Sequence, residues 1–128
     1  MKKKYVAYKG EKYTIEWYID EKGESQSLEY LLNLDPRSQQ KVFYLFKRIA
    51  DFGVINDKTK FRNEGDSIFA FKPQPNRFLS FFVKDAKIII TNAFMKKTDK
   101  LPKNEKIKAL KYKEDYLKRT AEGKYYEK

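Results

Sequence analysis

The spacing of apolar residues changes near residue 61, and this change limits the folds that the chain can adopt. Before it, apolar residues recur at i, i+3, i+4 and i+7: Val42, Leu45, Phe46 and Ile49. That spacing predicts a helix with one apolar face. Three strand-length apolar runs follow: 67–72, 77–84 and 87–93. Because the connections between them are short, the strands must run antiparallel. The sequence therefore predicts an α+β fold with an antiparallel meander.

A second helix is predicted ahead of the first, so that the two form an αα-hairpin packed on the meander. Leucines at helical spacing predict a short helix over 25–34, with Ser25 or Ser27 near its N-cap. Aspartate followed by proline at 35–36 predicts the start of the longer helix. Gly53 predicts its end.

The two ends of the chain complete the predicted architecture. Aromatic and β-branched residues predict a strand over 13–19, and 5–8 could pair with it as an N-terminal hairpin. A third helix is predicted from Pro102, with apolar residues at helical intervals and a glycine stop: Ile107, Leu110, Leu117, Ala121 and Gly123. The length suits a single domain over 1–128, with 1–12 and 123–128 expected to fray.

Charge is distributed unevenly along the chain. The net charge is +11, and residues 1–53 carry 10 basic and 8 acidic side chains whereas 54–128 carry 19 and 10. Such an excess favours a polyanionic partner, above all nucleic acid, with an anionic membrane or an acidic protein as alternatives. A lysine-rich coat that only keeps the protein in solution is a further reading.

The absence of two residue types excludes several chemistries. The chain has no cysteine and no histidine, so it forms no disulfide or thiolate metal site and has no imidazole base. The acidic residues at 20, 21 and 24 lack the ligand spacing of a calcium-binding EF-hand loop and indicate a solvent loop. No metal or cofactor is therefore expected. No apolar run approaches membrane-spanning length, so a cytoplasmic protein without membrane contact is expected.

The predicted meander brings basic residues to one end of the sheet. Lys72 ends one strand and Arg77 begins the next, while Lys96 and Lys97 follow the last strand. Antiparallel pairing places all four at the same end. Guanidinium and ammonium groups held on rigid strands can bind a phosphodiester and stabilise the extra charge of a phosphorane.

The segment over 67–109, SIFAFKPQPNRFLSFFVKDAKIIITNAFMKKTDKLPKNEKIKA, resembles RelE/HigB-type toxins of bacterial toxin–antitoxin systems, in particular the phage-associated HigB-like branch. The residues that match the family pattern are Arg77, Phe94, Lys96, Lys97 and Pro102. With the preceding αα-hairpin, the resemblance covers roughly residues 13–117. The chain departs from the pattern at Ala70 and Lys72, where that branch has Glu and Arg.

This resemblance implies a RelE-like fold and a ribosome-dependent mRNA endonuclease that a cognate helix-turn-helix antitoxin neutralises. In that family the RNA 2′-OH attacks the adjacent phosphate without a metal. By position, Arg77 is expected to stabilise the transition state, and Lys96 and Lys97 to bind phosphate or assist proton transfer. Lys72 is expected to contact RNA. The expected partner is mRNA on the ribosome.

Two tyrosines on the predicted third helix are further candidates. Tyr112 and Tyr116 lie one turn apart and can stack on a base or supply a hydroxyl, or pack against the sheet instead.

Two other functions of the protein stay open. Changes at Ala70 and Lys72 favour a non-catalytic nucleic-acid-binding module or an inactive phage-derived toxin homologue, and an interaction protein with an incidental basic coat is the third reading.

Overall fold

The computed structural model describes residues 5–126. Within this range a mixed sheet carries helices on both faces. In chain order the elements are β1 Val6–Lys9, β2 Thr14–Trp17, α1 Gln26–Leu32, α2 Pro36–Phe52, β3 Phe61–Asn63, β4 Phe69–Phe71, β5 Asn76–Val83, β6 Lys87–Met95 and α3 Lys103–Ala121. This confirms the predicted α+β fold with an αα-hairpin, a meander and a C-terminal helix.

The six strands of the described range lie in the order β1-β2-β6-β5-β4-β3. Strands β4 to β6 form the predicted antiparallel meander, and β1 and β2 form the predicted N-terminal hairpin. Two pairings were not predicted. Strand β3 adds to the meander by pairing antiparallel with β4, and β2 runs parallel to β6, with Ile15 opposite Ile88 and Trp17 opposite Ile90. These residues are buried, as expected for a parallel pair inside a sheet covered on both faces.

Local signals set the ends of the first two helices. The Ser25 hydroxyl accepts a hydrogen bond from the Leu28 N–H at 3.3 Å. The Asp35 carboxylate accepts one from the Ser38 N–H at 2.7 Å, ahead of a proline in the first turn of α2. Gly53 ends α2 with a φ of 99°, in the left-handed region that favours glycine. These caps confirm the predicted helix ends.

The sheet is covered by different side chains on its two faces. On the α2 face, aromatic rings interlock: Phe46 lies with its ring centroid 5.0 Å from that of Phe71 and 5.9 Å from that of Phe78. On the α3 face, Ile68, Leu79, Phe81 and Ile89 pack against Ala109 and Tyr116. Both cores fix β5 and β6 in place, and these strands carry the site described below.

The apolar stripe predicted for α3 is not its buried face. Ile107 and Leu117 are 53% and 45% exposed, whereas Ala109 and Tyr116 are 0% and 4% exposed. Ala109 lets the helix approach the sheet closely. The Tyr116 ring buries a large area, and its hydroxyl has a partner 2.6 Å away in the Tyr126 hydroxyl. The buried face of α3 is therefore formed around a tyrosine with a paired hydroxyl and not around the aliphatic stripe.

The ends that were expected to fray make contacts within the described residues. Strand β1 pairs with β2, and Tyr125 is only 2% exposed. The Tyr125 hydroxyl accepts a hydrogen bond from the Ile19 N–H at 2.9 Å, and the Tyr126 hydroxyl donates to the buried Glu16 carboxylate at 2.7 Å. The rest of that prediction, residues 1–4 and 127–128, lies outside the described residues.

A candidate anion-binding cleft at one end of the sheet

Basic side chains from β4, β5 and β6 line one cleft at an end of the meander. Arg77 lies opposite Phe94 in the β5–β6 register. The Lys96 N–H donates to the Pro75 carbonyl at 2.9 Å, which holds the end of β6 against the β4–β5 hairpin. Lys72 joins them from the end of β4. The structure thus brings together three of the four cations that the sequence placed here.

Arg77 is held rigidly and is only 7% exposed. Its Nη1 atom donates to the Gln74 Oε1 atom at 3.2 Å and to the Asn76 carbonyl at 3.0 Å. Burial lowers the pKa of the guanidinium, and the charges of Glu64 and Asp99 partly oppose this shift. Because an arginine stays protonated in a protein, the cleft contains a fixed, poorly hydrated positive charge.

Lys72 sits where its charge is disfavoured. Its pKa is lowered, first by burial and then by the neighbouring charge of Arg77. Its Nζ atom donates to the Lys58 carbonyl at 3.0 Å. A lysine with a lowered pKa gives up its proton more readily than an exposed one. Lys72 is therefore suited to proton transfer as well as to phosphate binding.

Lys96 and Lys97 are placed differently although they are adjacent. The Lys96 Nζ atom lies in the cleft and forms an ion pair with the Asp99 Oδ1 atom at 2.6 Å. This pair and the charges of Lys72 and Arg77 lower the pKa of the Asp99 carboxyl. Lys97 is exposed and does not line the cleft.

A carboxylate that the sequence analysis missed also lines the cleft. Glu64 directly follows β3, and its charge acts on both Lys72 and Arg77. Strand β3 pairs with β4 so that Arg62 lies opposite Ala70. Glu64 therefore brings a carboxylate into the cleft although Ala70 has none. Its only sequence signal was its position just after the apolar residue Phe61.

The cleft itself is small, with a volume of about 20 Å³. That is the space of one or two water molecules. Its remaining lining comes from the loop between β6 and α3: Thr98, Asp99, Lys100, Leu101 and Pro102. This volume is smaller than a phosphate group, so a phosphate enters the cleft fully only when some of these lining residues move.

The sequence matches a known protein family. A family model described as phage-derived protein Gp49-like (DUF891) matches residues 29–114. The chain belongs to this Gp49-like family. The family is of the RelE/HigB-like toxin type, and the matched segment contains every residue of the cleft. No curated protein matches the chain.

The two candidate tyrosines of this Gp49-like protein lie away from the cleft lining. The Tyr112 ring stacks on the Tyr18 ring with 4.7 Å between centroids. Tyr116 is buried, and its ring centroid lies 5.5 Å from that of Phe81. Tyr18 in turn donates to the Asp115 carboxylate, which also pairs with Arg119. In this structure both tyrosines pack α3 on the sheet.

Metal-ligand clusters and membrane-spanning helices are both absent from residues 5–126 of the Gp49-like chain. Among residues 5–126 no group of three or more acidic side chains is arranged to hold a metal ion. The Asp20 carboxylate instead accepts hydrogen bonds from the N–H groups of Lys22 and Glu24, both at 2.9 Å. None of the helices in the described range has the apolar length that crossing a membrane requires.

Proposed function

We propose that this protein is an endoribonuclease toxin that cleaves mRNA on the ribosome. The observation that carries the proposal is the cleft in which Arg77, Lys72 and Lys96 converge beside Glu64. Three cations on a rigid frame can neutralise a phosphodiester, and a carboxylate next to them can accept a proton. Membership of a toxin-type family supports this proposal.

The reaction needs only groups of the RNA and of the cleft. The ribose 2′-oxygen attacks the adjacent phosphorus and loses its proton to Glu64. The bond between phosphorus and the 5′-oxygen breaks, and the leaving oxygen takes a proton from Lys72, whose lowered pKa favours this donation. The products are a 2′,3′-cyclic phosphate and a free 5′-OH, so atoms and charges balance without a co-reactant.

The remaining cations bind and stabilise. The buried guanidinium of Arg77 stabilises the doubly charged phosphorane, because a desolvated charge acts more strongly than one in water. Lys96 exchanges its Asp99 partner for a phosphate oxygen. Lys97, which is exposed, contributes to binding of the flanking backbone.

The ribosome and an antitoxin are the proposed partners. A cleft of about 20 Å³ does not accept a phosphate without rearrangement, and the ribosome supplies an oriented mRNA that offsets this cost. A helix-turn-helix antitoxin, inferred from the family resemblance, would neutralise the toxin by covering the basic end of the sheet.

Controlled expression in a bacterial host tests the proposal. The parent protein is expected to arrest growth and to generate new 5′-OH ends within coding regions. Arg77→Ala is expected to do neither at equal protein level, while Lys111→Ala, which removes an exposed charge on α3, acts as the parent does. Growth arrest with intact mRNA would refute the nuclease proposal.

A second function is favoured by the residue at position 70. Ala70 stands where the toxin branch that the chain resembles has a glutamate, and both Arg77 and Lys72 already donate to protein acceptors. A module that only binds nucleic acid would fit these facts. It would bind RNA in a salt-dependent way and leave mRNA uncut, which the same expression experiment distinguishes.

A further inference from the structure

A second, larger depression lies beside the cleft. This α2 groove has a volume of about 490 Å³ and runs between α2 and the hairpin that joins β4 to β5. Its lining residues are Arg37, Gln40, Lys41, Tyr44, Leu45, Lys60, Lys72, Pro73 and Gln74. The volume falls within the range of sites that bind small ligands, about 300–1,000 Å³.

One wall of the α2 groove is a stripe along α2. Arg37, Lys41 and Tyr44 follow one another at i, i+4 and i+7, so they share a helix face that spans about 10 Å. Tyr44 is 70% exposed. Two cations in line with an exposed ring form a surface on which a charged backbone can lie while a base stacks on the ring.

The opposite wall carries the same sign of charge. Lys60 and Lys72 line it beside Pro73 and Gln74. Among the described residues that line the groove, none is acidic. A concave surface with charges of one sign focuses its field on an anionic ligand.

The α2 groove lies next to the cleft. Lys72 lines both depressions. Gln74 lines the groove, and its side-chain oxygen accepts the hydrogen bond from Arg77 Nη1. A chain molecule with one phosphate at Arg77 would therefore have the groove beside it.

We propose that the α2 groove binds single-stranded RNA next to the scissile phosphate, a proposal that rests on the proposed function for the identity of the RNA. A base stacks on Tyr44, and the adjoining phosphates contact Arg37 and Lys41. Duplex RNA does not fit this role, because its bases are already stacked on one another. An acidic peptide would use the cations but would leave the exposed ring without a flat partner.

Direct binding tests this proposal without cleavage. The probe is a fluorescein-labelled, mixed-sequence 2′-O-methyl RNA of about 12 nucleotides, which lacks the attacking hydroxyl. Fluorescence anisotropy is measured with the full chain. Tyr44→Ala is expected to bind roughly 5- to 150-fold more weakly, and Tyr44→Phe to bind as the parent does. Phe52→Ala, an equally exposed aromatic at the end of α2 but outside the groove, is the control and is expected to have no effect.

The charge stripe is tested by the salt dependence of the same binding. Replacing both Arg37 and Lys41 by Ala is expected to make the negative slope of log K against log salt shallower by about 1.4, because two phosphate contacts of about 0.7 each are lost. The matched control is Lys111→Ala with Lys118→Ala, two exposed lysines of α3. Equal losses in the two pairs would overturn the proposal, since only net charge would then matter.

The outcomes separate this proposal from the nuclease proposal. Tyr44-dependent binding without growth arrest in cells would support the groove and refute the nuclease. Growth arrest with mRNA cleavage, but unchanged probe binding by Tyr44→Ala, would refute the groove alone. If Tyr44→Ala no longer binds a co-expressed protein partner but still binds the RNA probe as the parent does, the groove is a protein interface. That result would also overturn the proposal.

Discussion

Asp99 forms an ion pair with Lys96 at 2.6 Å, beside the cleft in which Arg77 lies. The carboxylate thus interacts with the cations that a phosphate would need. A phosphate that binds Lys96 would have to replace this ion pair. Asp99 is therefore expected to weaken RNA binding in the free protein.

Asp99→Asn tests this relationship. Removing the carboxylate frees Lys96, so RNA affinity is expected to rise and the salt slope to steepen by about 0.7 for one added phosphate contact. Fluorescence anisotropy measures both quantities. Asp66→Asn is the matched control, because Asp66 forms a similar exposed ion pair with Lys106 at 2.9 Å outside the cleft. The same increase in both variants would show an effect of net charge only.

Glu64→Gln tests the proposed base. The substitution keeps the backbone contacts of residue 64, to Ile68 and from Lys106, so the fold is expected to persist. The rate of mRNA cleavage on ribosomes is expected to fall by about 10²–10⁴-fold, as for loss of a general base. RNA binding is expected to be retained. The control is Glu114→Gln, on the exposed side of α3, which should cleave mRNA normally. Normal cleavage by Glu64→Gln would rule out Glu64 as the general base.

The packing of α3 predicts which of its residues matter for stability. Tyr116→Ala is expected to lower the free energy of unfolding by about 3–5 kcal/mol, as for a large buried ring. Ile107→Ala is expected to change it by less than about 0.5 kcal/mol, because that side chain is mostly exposed. Urea denaturation measures both. The reverse order would mean that α3 packs through its aliphatic stripe.

Alkaline pH is expected to destabilise the protein through its buried tyrosines. Burial raises the pKa of both Tyr116 and Tyr126 in the folded state, whereas an unfolded tyrosine ionises near pH 10. Above about pH 10 the folded state therefore binds more protons than the unfolded state, and the free energy of unfolding falls as pH rises. Urea denaturation between about pH 9 and 11 should show a shallower decline for Tyr126→Phe. An identical decline in that variant would contradict this explanation.

Sequence reasoning succeeded where structure is decided locally. The Asp35–Pro36 pair and Gly53 set the ends of α2 through contacts within one helical turn. The same holds for β5 and β6, whose apolar runs and short connection require an antiparallel pair. That pairing predicted that Arg77 and Lys96 lie at the same end of the sheet.

What the sequence did not predict depends on distant partners. Strand β2 pairs in parallel with β6 across more than seventy residues. Tyr125 is buried because it meets Ile19, which lies 106 positions away. Glu64 reaches the cleft only because the three-residue strand β3 pairs with β4. None of these contacts leaves a periodic pattern in the nearby sequence.

The cleft is proposed to cleave RNA through the 2′-hydroxyl next to the scissile phosphate. A reconstituted translation reaction tests this step. Cleavage sites are first mapped on an all-ribose mRNA, and one site is then given a single 2′-deoxy nucleotide on its 5′ side. We expect that cleavage is lost at that site alone, that other sites are still cut, and that Arg77→Ala cuts none. Unchanged cleavage at the deoxy site would refute attack by the 2′-hydroxyl, since no 2′-oxygen would be there to attack.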